Sequence, residues 1–184
     1  MSYLDPLPED AVLLDVFRAF AHTARPLIAY HQALMRGPSA LSVAERELIA
    51  AFVSGLNACH YCHGVHGAVA ARFGIAEQTL ARLLDQDFEA VPAPLRPVLR
   101  YAAKLTRTPE RITRDDANSV FEAGWDARAL HDAVSVCALF NFMNRLVEGL
   151  GIDAEGDYFA EAAERIGDGG YAGLSELLPA PQQT

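Results

Sequence analysis

Residues 41–74 read LSVAERELIAAFVSGLNACHYCHGVHGAVAARFG, and two of the chain's three cysteines lie inside them. Ser42 followed by Glu45 forms a capping-box pattern, which predicts a helix through Leu48, Ile49, Phe52 and Val53, interrupted at Gly55 and Asn57. Asn57 is the expected cap of a second helix. That helix carries Cys59, Cys62, His63 and His66 in its first turns and stops at Gly74, with apolar Ile75 just beyond the glycine.

An α-helix turns by roughly 100° per residue, so offsets of three, four and seven from Cys59 bring Cys62, His63 and His66 to one face. His60 and Tyr61 point elsewhere. Cysteines three apart in a helix have Cα atoms about 5 Å apart, close enough for a disulfide to open and close with little backbone movement. A helix N-terminus favours thiolate, and a neighbouring imidazole accepts the proton, so both effects act in the same direction. Glu47, on the preceding helix, is placed to return antiparallel to this face and orient or protonate His66.

Outward from this stretch, 184 residues with 51% apolar content predict one domain, residues 1–178, followed by a disordered tail over 179–184. A net charge of −9, with no block among the fifteen Lys and Arg residues, argues against nucleic acid and against anionic membrane surfaces. No leader pattern and no membrane-length apolar run are found, which predicts a cytoplasmic protein. In a reducing cytosol a CxxC pair reads as catalytic or metal-binding rather than as a structural staple.

Before the central stretch, Val12, Leu13, Val16, Phe17 and Phe20 recur at helical spacing, and a second helix is expected with Pro26 in its first turn. His22 and His31 are lone histidines there and read as packing residues. After it, a short helix spans 76–84, a proline-spaced loop leads into a helix over 95–106, and Thr113 with Asp116 starts another, closed by Gly124. Asp126 caps the longest helix, from Ala127 to about Leu150. It is apolar almost all round, which predicts the centre of the fold or a subunit interface. Cys137 reads as a small core residue, Asn141 and Asn144 as partners for buried polar groups, and Arg145 as a cation seeking an acidic partner. One or two short helices flank GDGG at 167–170. With no strand, repeat, phosphate loop or GxSxG pattern, the fold class is all-α: a compact multi-helix domain with a central CxxC-bearing helix pair.

Four readings of the cluster stand side by side. CHYCH at 59–63 spells the covalent haem pattern, yet that attachment belongs to exported chains and leaves Glu47 and His66 without a role. Zinc could use Cys59, Cys62, His66 and either His63 or Glu47, although ligands fanned along a helix grip a metal poorly. A structural role would suit one cysteine better than two beside a histidine. The fourth reading is a redox-active dithiol outside a thioredoxin setting, since no βαβ unit precedes it.

The arrangement of Glu47, Cys59, Cys62 and His66 resembles the alkylhydroperoxidase D-like family, within the carboxymuconolactone decarboxylase-like group and closest to its peroxidase-related branch. The segment GWDARALHDAVSVCALFNFMNRLVEGLGI, 124–152, is similar to that branch too. The resemblance implies an all-helical fold assembling as a homo-oligomer, trimer or hexamer. It also implies thiol-dependent reduction of organic hydroperoxides or hydrogen peroxide, with no bound cofactor and no metal. Carried over by position, Cys62 is the peroxidatic cysteine, Cys59 the resolving one, and Glu47 with His66 the proton relay. The partners implied are a peroxide and an external dithiol reductant, a lipoyl-bearing protein in the best-known members. Those members carry a second histidine immediately before the second cysteine, where this chain has Tyr61; His60 and His63 are the candidates to replace it. Phe52, Tyr61, Phe140 and Phe142 are candidates for an apolar substrate wall. A non-enzymatic redox sensor, or a zinc-binding oligomer using the same CxxC, is the alternative to the enzyme.

Overall fold

A computed structural model describes residues 2–167 and 169–180. Among them, helices α1 (Leu13–Ala19), α2 (Ala21–Arg36), α3 (Val43–Leu56), α4 (His60–Arg72), α5 (Glu77–Leu84), α6 (Leu95–Arg107), α7 (Arg114–Glu122), α8 (Ala127–Gly149) and α9 (Tyr158–Gly167) alternate with short 3-10 turns, the last at Ala172–Leu177. No strand occurs among the described residues, and the all-α expectation holds. No helix among them is long and apolar enough to cross a membrane. The tail expected at 179–184 falls largely on 181–184, outside the described residues. Pro179 is described, and its carbonyl accepts a hydrogen bond from the Arg25 guanidinium.

Of the two expectations for α8, the centre of the fold or a subunit interface, the first is not met, because the centre belongs to α3. Nine consecutive residues of α3, Arg46 through Ser54, are buried, and the helix packs against α2, α4, α5, α6 and α8. Small residues Ala50, Ala51 and Gly55 let these neighbours approach: a Cβ on Gly55 would stand 2.8 Å from the Leu84 side chain. By contrast α8 keeps an exposed stripe of His131, Ala138, Phe142 and Arg145 at helical spacing. The polar cost of burying Arg46 is met by carbonyls of Leu34 and Gly37, which also closes the C-terminus of α2.

The Ser42–Glu45 capping box forms as expected, with Ser42 Oγ accepting from the Glu45 amide. At the other end of α3 the expectation for Asn57 fails. Asn57 closes α3, Ala58 takes a left-handed φ of 54°, and Cys59 itself is the N-cap of α4. The Asn57 side chain instead donates to Asn141 and Asn144 on α8, and Asn144 donates to Ser54, so these amides satisfy one another as expected. Arg145 donates back to the Asn141 carbonyl rather than to a carboxylate. Pro26 also differs, lying inside α2 beyond its first turn because the helix begins at Ala21. Gly74, at φ 91°, ends α4 as expected, with the Ile75 amide on the Ala70 carbonyl.

Candidate active site

The α3–α4 pair brings the four predicted residues together. His66, one turn beyond Cys62 on α4, directs Nδ1 to Glu47 Oε2 on α3 at 2.8 Å. Glu47 is fully buried, and two further donors reach its other oxygen: Arg36 Nη1 at 2.6 Å and the Tyr171 hydroxyl at 3.0 Å. Burial alone would raise the Glu47 pKa. The His66 hydrogen bond and charge, together with the Arg36 guanidinium, outweigh it and hold the carboxyl below its usual range. An anionic Glu47 at Nδ1 fixes the tautomer of neutral His66, with hydrogen on Nδ1 and a lone pair on Nε2. Nε2 has no hydrogen-bond partner among the described residues, so the imidazole presents a base there.

Arg36 and Tyr171 escaped the sequence reading. Arg36 is the last residue of α2, where it also donates to the Ile166 carbonyl on α9 and stacks 5.0 Å over the Tyr171 ring. Tyr171 lies more than a hundred residues from Glu47, and no local pattern announces such a contact.

Beside Cys62 and His66 is a cavity of about 80 Å³. Its walls come from Leu13, Leu14 and Phe17 of α1, Ile28 and His31 of α2, Tyr61 and Val65 of α4, Phe140 and Met143 of α8, and Tyr158, Ala162 and Ile166 of α9, with Tyr171. The lining is mostly apolar. Of the four aromatic residues named as a substrate wall, Tyr61 and Phe140 line it. Phe52 packs edge-on against Phe88 in the core, and Phe142 is half exposed in a different groove.

The two cysteines are not equivalent. Cys62 lines the cavity, whereas Cys59 is fully buried at the N-cap and does not. Their acidities run the other way. The Cys62 thiol, as a donor, pulls the Cys59 pKa down against the opposing effects of burial and Glu148. Cys62 is pushed well up by the Cys59 sulfur, by burial and by the Cys59 charge, with Asn144 acting in the opposite sense. The helix N-terminus at Cys59 favours the same assignment. Cys59 is therefore the more acidic of the pair, and Cys62 is the sulfur that faces the cavity.

His60 and His63, the candidates to replace the second histidine, both direct Nδ1 away from Glu47 and His66. His60 is exposed and directs Nδ1 to Asp153 at 3.0 Å, and His63 directs Nδ1 to the Ala51 carbonyl at 3.0 Å. At the departed position, the Tyr61 hydroxyl meets that of Tyr158 on α9 at 2.5 Å, which ties α4 to the element over the cavity. Gly64 permits the same approach, since a Cβ there would fall 2.7 Å from the Phe159 ring. Cys137 is a core residue as read, buried against Thr106, with its pKa raised chiefly by burial. Among the described residues no group of three or more His, Cys, Asp or Glu is placed to hold a metal ion.

His31 was read as packing, yet it is a second buried imidazole on the cavity wall. Burial lowers its pKa to about 4, and it is neutral at pH 7. Between that value and the unfolded-state value near 6.5, the unfolded chain binds the extra proton, so stability rises with pH across the interval. The contribution is complete above about pH 6.5 and is lost as pH falls toward 4. Denaturant unfolding at stepped pH should show a loss of roughly 2–4 kcal/mol over that window, absent from His31→Gln. An identical pH profile in the variant would assign the loss to other groups.

The carboxymuconolactone decarboxylase family pattern matches residues 21–107, which hold Glu47, Cys59, Cys62 and His66. Among solved structures, the chain is similar to an uncharacterized peroxidase-related protein from Silicibacter sp. TM1040. The two are 30% identical, with a TM-score of 0.73 over 80% of this chain and 78% of the other. A second similar structure is an alkylhydroperoxidase AhpD core, an uncharacterized peroxidase-related protein from Ralstonia eutropha JMP134. It is 26% identical, with a TM-score of 0.71 over 81% of this chain and 80% of the other. No curated protein matches.

Proposed function

Because the chain belongs to the AhpD-like, carboxymuconolactone decarboxylase-like family, we propose that it is a thiol-dependent peroxidase that reduces organic hydroperoxides through Cys59 and Cys62. The observation that carries this reading is the placement of Cys62 and His66 together on one apolar cavity, with Glu47 fixing the imidazole from behind. An apolar lining favours an organic hydroperoxide over hydrogen peroxide, whose two hydroxyls would lose water contacts on entry.

In the proposed cycle His66 Nε2 takes the Cys62 proton, and the thiolate attacks the terminal oxygen of the hydroperoxide. The S–O bond forms as the O–O bond breaks. The terminal oxygen keeps its hydrogen and becomes the sulfenic hydroxyl, while the leaving alkoxide takes the proton from His66 and departs as an alcohol. Cys59 then gives up its proton and attacks the Cys62 sulfur, and the leaving hydroxide takes up that proton and departs as water. An external dithiol restores both thiols by exchange and becomes a disulfide. Glu47 stays anionic throughout. Its part is to orient His66 and to stabilise the imidazolium, so the proton moves between Cys62, His66 and substrate.

Peptide mass mapping of the reduced protein, alkylated before and after a stoichiometric pulse of cumene hydroperoxide, tests this without any assumption about the reductant. A Cys59–Cys62 disulfide with Cys137 still alkylatable is the expected result. Both thiols remaining reduced would overturn it.

A further inference from the structure

The cavity holds polar groups that the cycle above leaves idle, Arg165 and His31 among them. His31 Nδ1 lies 2.9 Å from the Leu27 carbonyl one turn back, which can only accept, so Nδ1 carries the hydrogen. In a neutral ring that leaves a lone pair on Nε2, for which no partner exists among the described residues. The residue is 5% exposed and lines the same cavity as Cys62. His31 and His66 both set their rings edge-on to Phe140, at 6.1 and 4.4 Å between centroids, so the two imidazoles flank one aromatic wall. Nε2 is not sealed off by protein, so this acceptor on the cavity wall is left for a donor that enters the cavity.

We propose that His31 Nε2 accepts the O–H of the bound hydroperoxide and so orients its terminal oxygen toward Cys62. This rests on the peroxidase reading and extends it to a binding residue and a substrate requirement. The substrate is an apolar peroxide with a free O–H, and dialkyl peroxides are refused. The hydrogen held by His31 stays with the terminal oxygen and ends on the sulfenic acid, so His31 gains and loses no proton. Its buried, neutral state suits this part, because a protonated ring would present a donor where the substrate also offers one.

The test measures single-turnover oxidation of Cys62 by cumene hydroperoxide, and alkylation of Cys62 by iodoacetamide, in the wild type, His31→Met and His31→Gln. Iodoacetamide has no hydroperoxide O–H, so its rate reports the thiolate and the access path alone. His31→Met should slow oxidation by about 10-fold, the worth of one hydrogen bond, and leave alkylation unchanged. His31→Gln, which supplies an amide oxygen, should recover much of the loss. Unchanged oxidation in His31→Met, or an equal fall in oxidation and alkylation, would overturn the proposal while leaving the peroxidase reading intact. A wild type that forms no Cys59–Cys62 disulfide would remove that reading and this one together. Should His31→Met fail to fold, the wild type decides: unreactive cumyl alcohol should shift the His31 Nε2 resonance, and its methyl ether should not. Equal shifts from both would count against the O–H contact.

Discussion

Cys62→Ser is expected to lower hydroperoxide reduction by roughly 10³-fold or more, because a serine hydroxyl beside the same base is a far weaker nucleophile toward peroxide oxygen than a thiolate. Cys59→Ser should behave differently. It should consume about one equivalent of hydroperoxide per chain and stop with a sulfenic acid on Cys62, which dimedone labelling and mass spectrometry would detect. The pair of variants decides a real conflict in the site. Acidity favours Cys59, whereas access to the cavity favours Cys62. Access should win, because a buried thiolate that no peroxide reaches cannot react, while a thiol next to an oriented imidazole can lose its proton at the moment of attack. Trapped sulfenic acid in Cys62→Ser, on Cys59, would reverse the roles.

Glu47→Gln should reduce the first-order rate of Cys62 oxidation by about 10²- to 10⁴-fold. The orientation of the new amide follows from its neighbours. Arg36 only donates, so the amide oxygen must face Arg36 and the amide NH₂ must face His66 Nδ1. That forces the hydrogen of His66 onto Nε2 and removes the base that faced the cavity. The same change leaves Arg36, whose side chain is only 10% exposed, without its counter-charge, at a stability cost on the order of 3 kcal/mol. Rates should therefore be compared well below the unfolding midpoint, with the His66 tautomer read from its ¹⁵N shifts. A Gln variant that oxidises at the wild-type rate would show that the dyad does not serve the chemistry.

Much of this arrangement was legible from local chemistry. The capping box at Ser42, the glycine stop at Gly74 and the spacing of Glu47, Cys59, Cys62 and His66 depend on contacts within one or two turns, or between consecutive helices, and such contacts leave periodic traces. What stayed hidden is long-range. Tyr171 reaches Glu47 from the end of the chain, His31 turns into the cavity from a helix read as packing, and α3 takes the centre because five helices close on it. The Asn57 cap failed for a related reason: its amide had two better partners on α8, which sequence spacing cannot reveal. Pro26 shows the limit of placing a proline from its own neighbourhood, since the start of α2 is set upstream at Phe20.

The roof of the cavity has a different origin along the chain from its floor. Both sulfurs and the Glu47–His66 pair lie within 21–107, while Phe140, Tyr158, Ile166 and Tyr171 are supplied by later residues. Part of the cavity wall is thus encoded apart from the sulfurs and the Glu47–His66 pair. Substitutions in the later part can reshape the set of accepted molecules while the reactive groups keep their spacing, which makes α9 and the turn after it the natural region to diversify when a library is built to redirect substrate choice.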